Sequence, residues 1–70
     1  MRHNNGVGYL TMREKEILGY LAKGLTSDQV AVQLSLSKHT IDTHRRKMLK
    51  KTGCKNTVEM LGVAGRAYML

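Results

Sequence analysis

The chain has 70 residues, with 12 Lys and Arg against five Asp and Glu, and a formal net charge of +7. A chain this short buries only about 60% of its unfolded surface, which allows one small core and little room for a catalytic cleft. The single cysteine excludes an internal disulfide framework, and no apolar run is long enough to span a membrane. These properties favour a small cytoplasmic binding domain over an enzyme.

The chain divides into a short lead-in and one helical domain. Residues 1–9 lack the apolar stretch of a signal peptide, and we expect them to be a flexible lead-in. Residues 10–70 contain no proline and no segment with the period-two alternation of a strand. They predict an all-α domain of four helices.

Each of the first two predicted helices begins with a capping box, in which a hydroxyl precedes a carboxylate or amide by three residues. The first helix covers residues 12–23 after Thr11, and Gly24 can take the left-handed conformation that ends a helix. The second helix is short and begins after Thr26, and its pattern breaks at residues 35–37. Its inner face is expected to carry Val30, Ala31 and Leu34.

The third helix, predicted over residues 38–52 with Ser37 as its cap, is basic on one side, and its apolar inner side is expected to carry Ile41, His44, Met48 and Leu49. The segment 38–55 holds seven Lys and Arg and one Asp, a net charge of +6, so that the other 52 residues carry +1. A helix, a three-residue break and a basic helix form the layout of a helix-turn-helix, whose second helix enters the major groove of DNA. A solvated basic face without a partner is the alternative interpretation.

The fourth helix, predicted over about residues 57–68 after the Asn56–Glu59 capping box, is apolar nearly all round. Such a helix must be covered on more than one side. We expect Val58 and Leu61 to face the core and the other side to contact a second copy of the chain. The expected interface residues are Met60, Val63, Ala64 and Ala67. The alternative is that a domain of this size leaves some apolar surface exposed.

Six blocks of residues lie in one register over residues 10–70 and carry a resemblance to a known family. The blocks are Leu10-Thr11-x-Arg13-Glu14-x-Glu16-Ile17-Leu18, Ala22-x-Gly24-Leu25-Thr26, Val30-Ala31-x-x-Leu34, Ser37-x-x-Thr40-Ile41-x-Thr43-His44-Arg45, Leu49-x-Lys51-x-Gly53 and Asn56-x-x-Glu59. Together they resemble the LuxR/GerE-type helix-turn-helix domain, the DNA-binding end of many bacterial response regulators and quorum-sensing regulators. The resemblance implies a four-helix domain that binds duplex DNA through its third helix and dimerises through its fourth.

The resemblance and the exposed side of the third helix together predict the residues that face DNA. The expected base-facing residues are His39, Asp42, Thr43 and Arg46, and the expected phosphate contacts are Thr40, Lys47, Lys50 and Lys51. Arg46 is the main candidate because a guanidinium can bind guanine O6 and N7 together; the alternative is a contact with phosphate alone. Asp42 departs from the basic residue usual in the family, and we predict that it pairs with Arg46 and orients it; the alternative is that it only repels phosphate and lowers non-specific affinity.

The sequence is thus interpreted as the sequence-specific DNA-binding domain of a bacterial transcription regulator, with RNA polymerase as a candidate further partner. The alternative is a protein-interaction module whose basic helix grips an acidic partner, and a steeply salt-dependent preference for duplex DNA would separate the two. A sigma-type helix-turn-helix fits the 37–53 block less well. We expect no cofactor and no metal, because the histidines and the cysteine lack zinc-binding spacing and no catalytic set is recognisable.

Overall fold

The computed structural model describes residues 10–68, with side chains through Ala64, and these residues form four α-helices and no strand. The helices are α1 (Met12–Ala22), α2 (Ser27–Leu34), α3 (Lys38–Thr52) and α4 (Thr57–Tyr68). The all-α prediction is confirmed, and the bounds expected for α1, α3 and α4 agree within one residue. The lead-in expected over residues 1–9 lies outside the described residues.

The predicted capping boxes of α1 and α2 are both present. In the first, the Thr11 hydroxyl accepts the Glu14 amide N–H at 3.1 Å, and the Glu14 carboxylate accepts the Thr11 amide N–H at 2.8 Å. Thr26 and Gln29 make the same reciprocal pair at 3.2 and 2.9 Å. Each box satisfies two backbone donors that a helix start would leave without a partner, so these starts are determined locally.

The connection between α2 and α3 is only three residues long, 35–37. Ser35 has φ of 55°, a left-handed conformation that a side chain normally disfavours and that the sequence did not reveal. The Leu36 amide N–H then bonds back to the Ala31 carbonyl at 2.9 Å. Ser37 caps α3 as predicted, because its hydroxyl accepts the Thr40 amide N–H at 3.0 Å.

The start of α4 differs from the predicted capping box in one contact. The Asn56 side chain accepts the Glu59 amide N–H at 2.8 Å, as expected of a cap. The Glu59 carboxylate, however, accepts the amide N–H of Lys55 at 2.8 Å, one residue before the expected Asn56. Both side chains therefore still bind backbone amides at the start of α4, but the Glu59 carboxylate binds the amide of Lys55 instead of that of Asn56.

All four helices contribute to one core. The main contact is between α2 and α3; α1 packs against the other three helices, and α4 packs against α1 and α3. The fully buried large side chains of the core come from every helix: Ile17, Leu18, Val30, Ile41, Met48 and Met60. The inner face expected for α2 is confirmed for Val30 and Ala31, which are buried, while Leu34 is half-buried against the core. His44, which the sequence placed on the apolar side of α3, is only half-buried.

The prediction for the faces of α4 is wrong for Val58, Met60 and Ala64, and it is confirmed for Leu61, which is half-buried against the core. Met60 and Ala64, expected at the dimer interface, are both 0% exposed in the core, whereas Val58, expected in the core, is 80% exposed. Val63 is half-buried and packs against the core. Because this helix is apolar nearly all round, it offers no polar stripe from which the buried side could be deduced. The side chain of Ala67, the fourth expected interface residue, lies outside the described part of the chain.

Candidate nucleic-acid interface

The outward side of α3 gathers four of the predicted DNA-contacting residues on one surface. This surface, the free face of α3, borders a hollow of about 420 Å³ lined by Thr43, Arg46, Lys47 and Lys50. The two lysines and Arg46 are exposed, and Thr43 is half-buried at the base of their side chains. Residues three and four apart share one side of a helix, which brings these groups together.

Arg46 is held on the free face by a neighbour within α3. Its Nη2 donates a hydrogen bond to the Thr43 hydroxyl at 3.2 Å. This bond limits the rotamers of a long, exposed side chain and leaves its other guanidinium donors available to an external partner. Thr43 therefore supplies the internal contact to Arg46 that the sequence had assigned to Asp42.

Two further predicted residues lie in the first turn of α3. His39 is exposed, and its position allows contact with an external partner. Thr40 is half-buried, with its hydroxyl 2.9 Å from that of Ser37, the cap of the helix. Thr40 is thus tied to the start of the helix, where an external phosphate would meet both a hydroxyl and the positive end of the helix dipole.

Asp42 does not pair with Arg46, and this prediction is corrected. Its carboxylate lies 2.8 Å from the ammonium of Lys38 and 3.9 Å from the guanidinium of Arg45, and its side chain is 31% exposed. Hydrogen bonds from Lys38 and then from Ser27 hold the pKa of Asp42 below its usual value. Because Ser27 is the first residue of α2, the Asp42 carboxylate lies on the flank of α3 that faces α2.

Lys51 also has a partner inside the domain. Its ammonium donates to the Glu14 carboxylate at 2.8 Å, and the Glu14 side chain is only 3% exposed. Burial alone raises the pKa of Glu14, but the hydrogen bonds from Lys51 and from the Thr11 backbone outweigh it and leave this pKa below its usual value. The pair joins residues 37 positions apart, so no local pattern could have revealed it.

Arg45 is a third residue whose role the sequence did not reveal. Its guanidinium is half-buried and donates to the hydroxyls of Ser27 and Thr57, the first residues of α2 and α4. In the sequence it appeared only as one of the seven cations of segment 38–55 and as the last residue of the Ser37–Arg45 block of the family resemblance, and neither indicated a contact between helices. Arg45 instead connects three helices.

These internal contacts sort the six basic residues of α3 into two groups. Lys38, Arg45 and Lys51 each lie within 4 Å of a carboxylate of the domain. The cations of the free face, Arg46, Lys47 and Lys50, form no ion pair with any residue that the structure describes. The unneutralised positive charge of α3 is therefore concentrated on the side that faces outward.

A short helix, a tight turn and an exposed basic helix packed on it define the helix-turn-helix class of DNA-binding domain. The family model GerE, which describes the bacterial regulatory proteins of the luxR family, matches residues 8–64. The chain belongs to this family and is a DNA-binding transcription regulator domain.

Several curated proteins are similar to the chain over most of its length. An uncharacterized response regulatory protein of Escherichia coli K12, YgeK, is 40% identical over 81% of the chain and 39% of its own length. The transcriptional regulatory protein UhpA of Salmonella typhimurium is 39% identical over 73% of the chain and 26% of its own length. The nitrate/nitrite response regulator protein NarL of Escherichia coli K12 is 40% identical over 76% of the chain and 24% of its own length.

The chain thus spans between 24% and 39% of the length of these three relatives. No solved structure gave a significant match to it. A candidate membrane-spanning helix is not found among the described residues. The same residues contain no group of three or more His, Cys, Asp or Glu side chains that could hold a metal ion.

Proposed function

We propose that this chain is the sequence-specific duplex-DNA-binding domain of a bacterial transcription regulator and that α3 enters the major groove. The observation that carries the proposal is the free face of α3, where Arg46, Lys47 and Lys50 surround Thr43 without an internal counter-charge. Such a face matches a polyanion in charge, and an α-helix matches the major groove in width.

The side chains on this face divide into base-reading and phosphate-binding groups. Arg46, already bonded to Thr43, reads a guanine edge through two parallel N–H donors, and Thr43 contacts a neighbouring base or a thymine methyl. His39 lies at the base-facing start of the helix. Lys47, Lys50 and Thr40 bind phosphates, which position the helix without reading sequence.

Asp42 and Lys51, which the sequence predicted to contact DNA, are not among the proposed contacts. The carboxylate of Asp42 is bound to Lys38 on the flank toward α2, and a carboxylate at the DNA surface would repel phosphate. The ammonium of Lys51 is bound to the buried carboxylate of Glu14. The proposed interface is therefore smaller and more uniformly positive than the sequence suggested.

We further propose that two copies bind two half-sites through contacts of α4, now on the face opposite to the one first expected. Val58 is 80% exposed and Gly62 is exposed, while Leu61, at the edge of this face, is half-buried and packs partly against the core. Leu61 and Gly62 lie three and four residues after Val58, so the three residues share one side of the helix. A second copy is the occupant because a symmetric dimer matches paired half-sites. We expect the regulator to act in the cytoplasm, where RNA polymerase is a candidate further partner.

Selection of bound sites from random duplex DNA tests the main proposal. We expect the chain to enrich a defined half-site, and the affinity for the selected duplex to fall steeply as salt is raised. Polyglutamate of matched charge serves as the control for an acidic protein partner. Equal enrichment of all sequences, or tighter binding to polyglutamate than to the selected duplex at the same salt, would contradict the proposal.

A further inference from the structure

The side chain of Arg45 occupies a junction between three helices. It leaves α3 on the flank away from the free face, and its guanidinium reaches the first residue of α2 and the first residue of α4. Nη1 donates to the Ser27 hydroxyl, and Nη2 donates to the Thr57 hydroxyl at 2.6 Å. Ser27 is buried, and Thr57 and Arg45 are half-buried, so both contacts are partly shielded from water.

Neither hydroxyl is needed to start its own helix. The cap of α2 is Thr26, whose hydroxyl accepts the Gln29 amide N–H, and the cap of α4 is Asn56. Ser27 and Thr57 come one residue later, where the side chain is free for another partner. Their described contact with Arg45 therefore concerns the relative placement of helices and not the formation of each helix.

Because of the helix dipoles around it, the contact of Arg45 with the two hydroxyls contributes little to the free energy of unfolding. A cation near the first turn of a helix opposes the helix dipole, and here one guanidinium lies at the start of two helices. Asp42, with its carboxylate 3.9 Å from Nη1, offsets part of this repulsion. What the planar guanidinium supplies is geometry, because its donors point in fixed directions and here reach hydroxyls of two different helices from one side chain.

We propose that Arg45 is a positioning residue that sets the orientation of α3 on α2 and α4, and thereby the accuracy with which Thr43 and Arg46 meet base edges. Arg46 follows Arg45 directly in the chain, so a rotation or shift of α3 that frees Arg45 also displaces the guanidinium on the free face. Base contacts tolerate such a displacement poorly, whereas phosphate contacts of flexible lysines tolerate it well. The inference rests on the proposed function.

Removal of the two hydroxyls tests the inference without altering α3 or the net charge. The variants are Ser27→Ala and Thr57→Val, with Thr57→Ser as the conservative rescue. Thr52→Val is the matched control, because Thr52 is also a half-buried helical threonine but bonds only to carbonyls of its own helix. The probes are the duplex selected by the wild-type chain and its derivatives with one base pair changed. Discrimination is the Kd for a changed duplex divided by the Kd for the selected duplex.

We expect Ser27→Ala and Thr57→Val to lower discrimination by roughly fivefold, the lower end of what one base contact contributes. The melting temperatures should stay close to that of the wild type, and the salt slope of binding should not change, because the lysines of the free face are untouched. Thr57→Ser and Thr52→Val should keep the wild-type ratio. Arg45→Lys keeps the charge but lacks the fork, so it should behave like Thr57→Val.

Two results would overturn the inference while leaving the proposed function in place. One is a wild-type ratio in both Thr57→Val and Arg45→Lys. The other is a loss of discrimination that appears only in variants already partly unfolded at the temperature of the measurement, which would make Arg45 a purely structural residue. A wild-type chain that selects no sequence would overturn the proposed function itself.

Discussion

Lys50 and Lys51 are neighbours on α3 with different surroundings. Lys50 lies on the free face, whereas the ammonium of Lys51 is bound to the buried carboxylate of Glu14. We expect Lys50→Ala to reduce the salt slope of DNA binding by about one unit and to leave stability unchanged. Lys51→Ala should instead lower the free energy of unfolding by about 1–3 kcal/mol, because it leaves a buried carboxylate without its cation.

Urea unfolding and binding at a series of salt concentrations, applied to both variants, separate these two roles. Lys23→Ala is a suitable control, because it removes one positive charge from the end of α1, away from the free face. A salt slope that falls in Lys51→Ala as much as in Lys50→Ala would restore Lys51 to the phosphate contacts and contradict the role assigned to it.

The Glu14–Lys51 pair also predicts how stability depends on pH. The pKa of Glu14 in the folded chain lies below its ordinary value of 4.5, so the carboxylate binds its proton less readily when folded. Its contribution to stability is therefore complete above about pH 4.5 and is lost as the pH falls through the folded pKa. Glu14→Gln should flatten this part of the stability profile in urea unfolding. A profile as steep as that of the wild type would show that other carboxyls dominate.

At the scale of single elements, the turn between α2 and α3 contains a residue in an unfavourable conformation. Ser35 has φ of 55°, which glycine adopts without strain. We expect Ser35→Gly to raise the free energy of unfolding by about 0.5–1 kcal/mol. Ser37→Ala, in the same turn, should lower it by about 1 kcal/mol, because Ser37 caps α3. A destabilised Ser35→Gly variant in urea unfolding would show that the serine side chain has an unrecognised role.

The helices were predictable from the sequence because their ends are encoded locally. Thr11, Thr26, Ser37 and Asn56 each cap a helix through a contact only three residues away. The contacts of Arg45 and Lys51 join residues 12 to 37 positions apart and depend on how the helices pack, which no local pattern contains.

The candidate site was predicted in part for a related reason. The clear apolar side of α3, fixed by Ile41 and Met48, placed Thr43, Arg46 and Lys50 correctly on the opposite face. Asp42 and Arg45, which lie between the two faces, could not be placed in this way, because their contacts depend on how neighbouring helices pack.

At the scale of the whole molecule, the reversed faces of α4 change the test of dimerisation. Val58→Glu places a charge on the exposed face, so we expect the chain to stay folded, to lose affinity for a duplex with two half-sites and to bind one half-site as before. Val63→Glu should unfold the domain, because Val63 packs against the core. Circular dichroism with binding to both duplexes checks this. Unchanged affinity of Val58→Glu for two half-sites would contradict the dimer proposal.

The central claim, that the free face of α3 reads duplex DNA, is tested most directly by titrating the isotopically labelled chain with its selected duplex and following the NMR chemical shifts. We predict the largest changes in the backbone of Thr43, Arg46, Lys47 and Lys50 and in the Arg46 guanidinium, with small changes along the outer side of α1 near Tyr20. Large changes on that side of α1, with the signals of the free face unmoved, would contradict the claim.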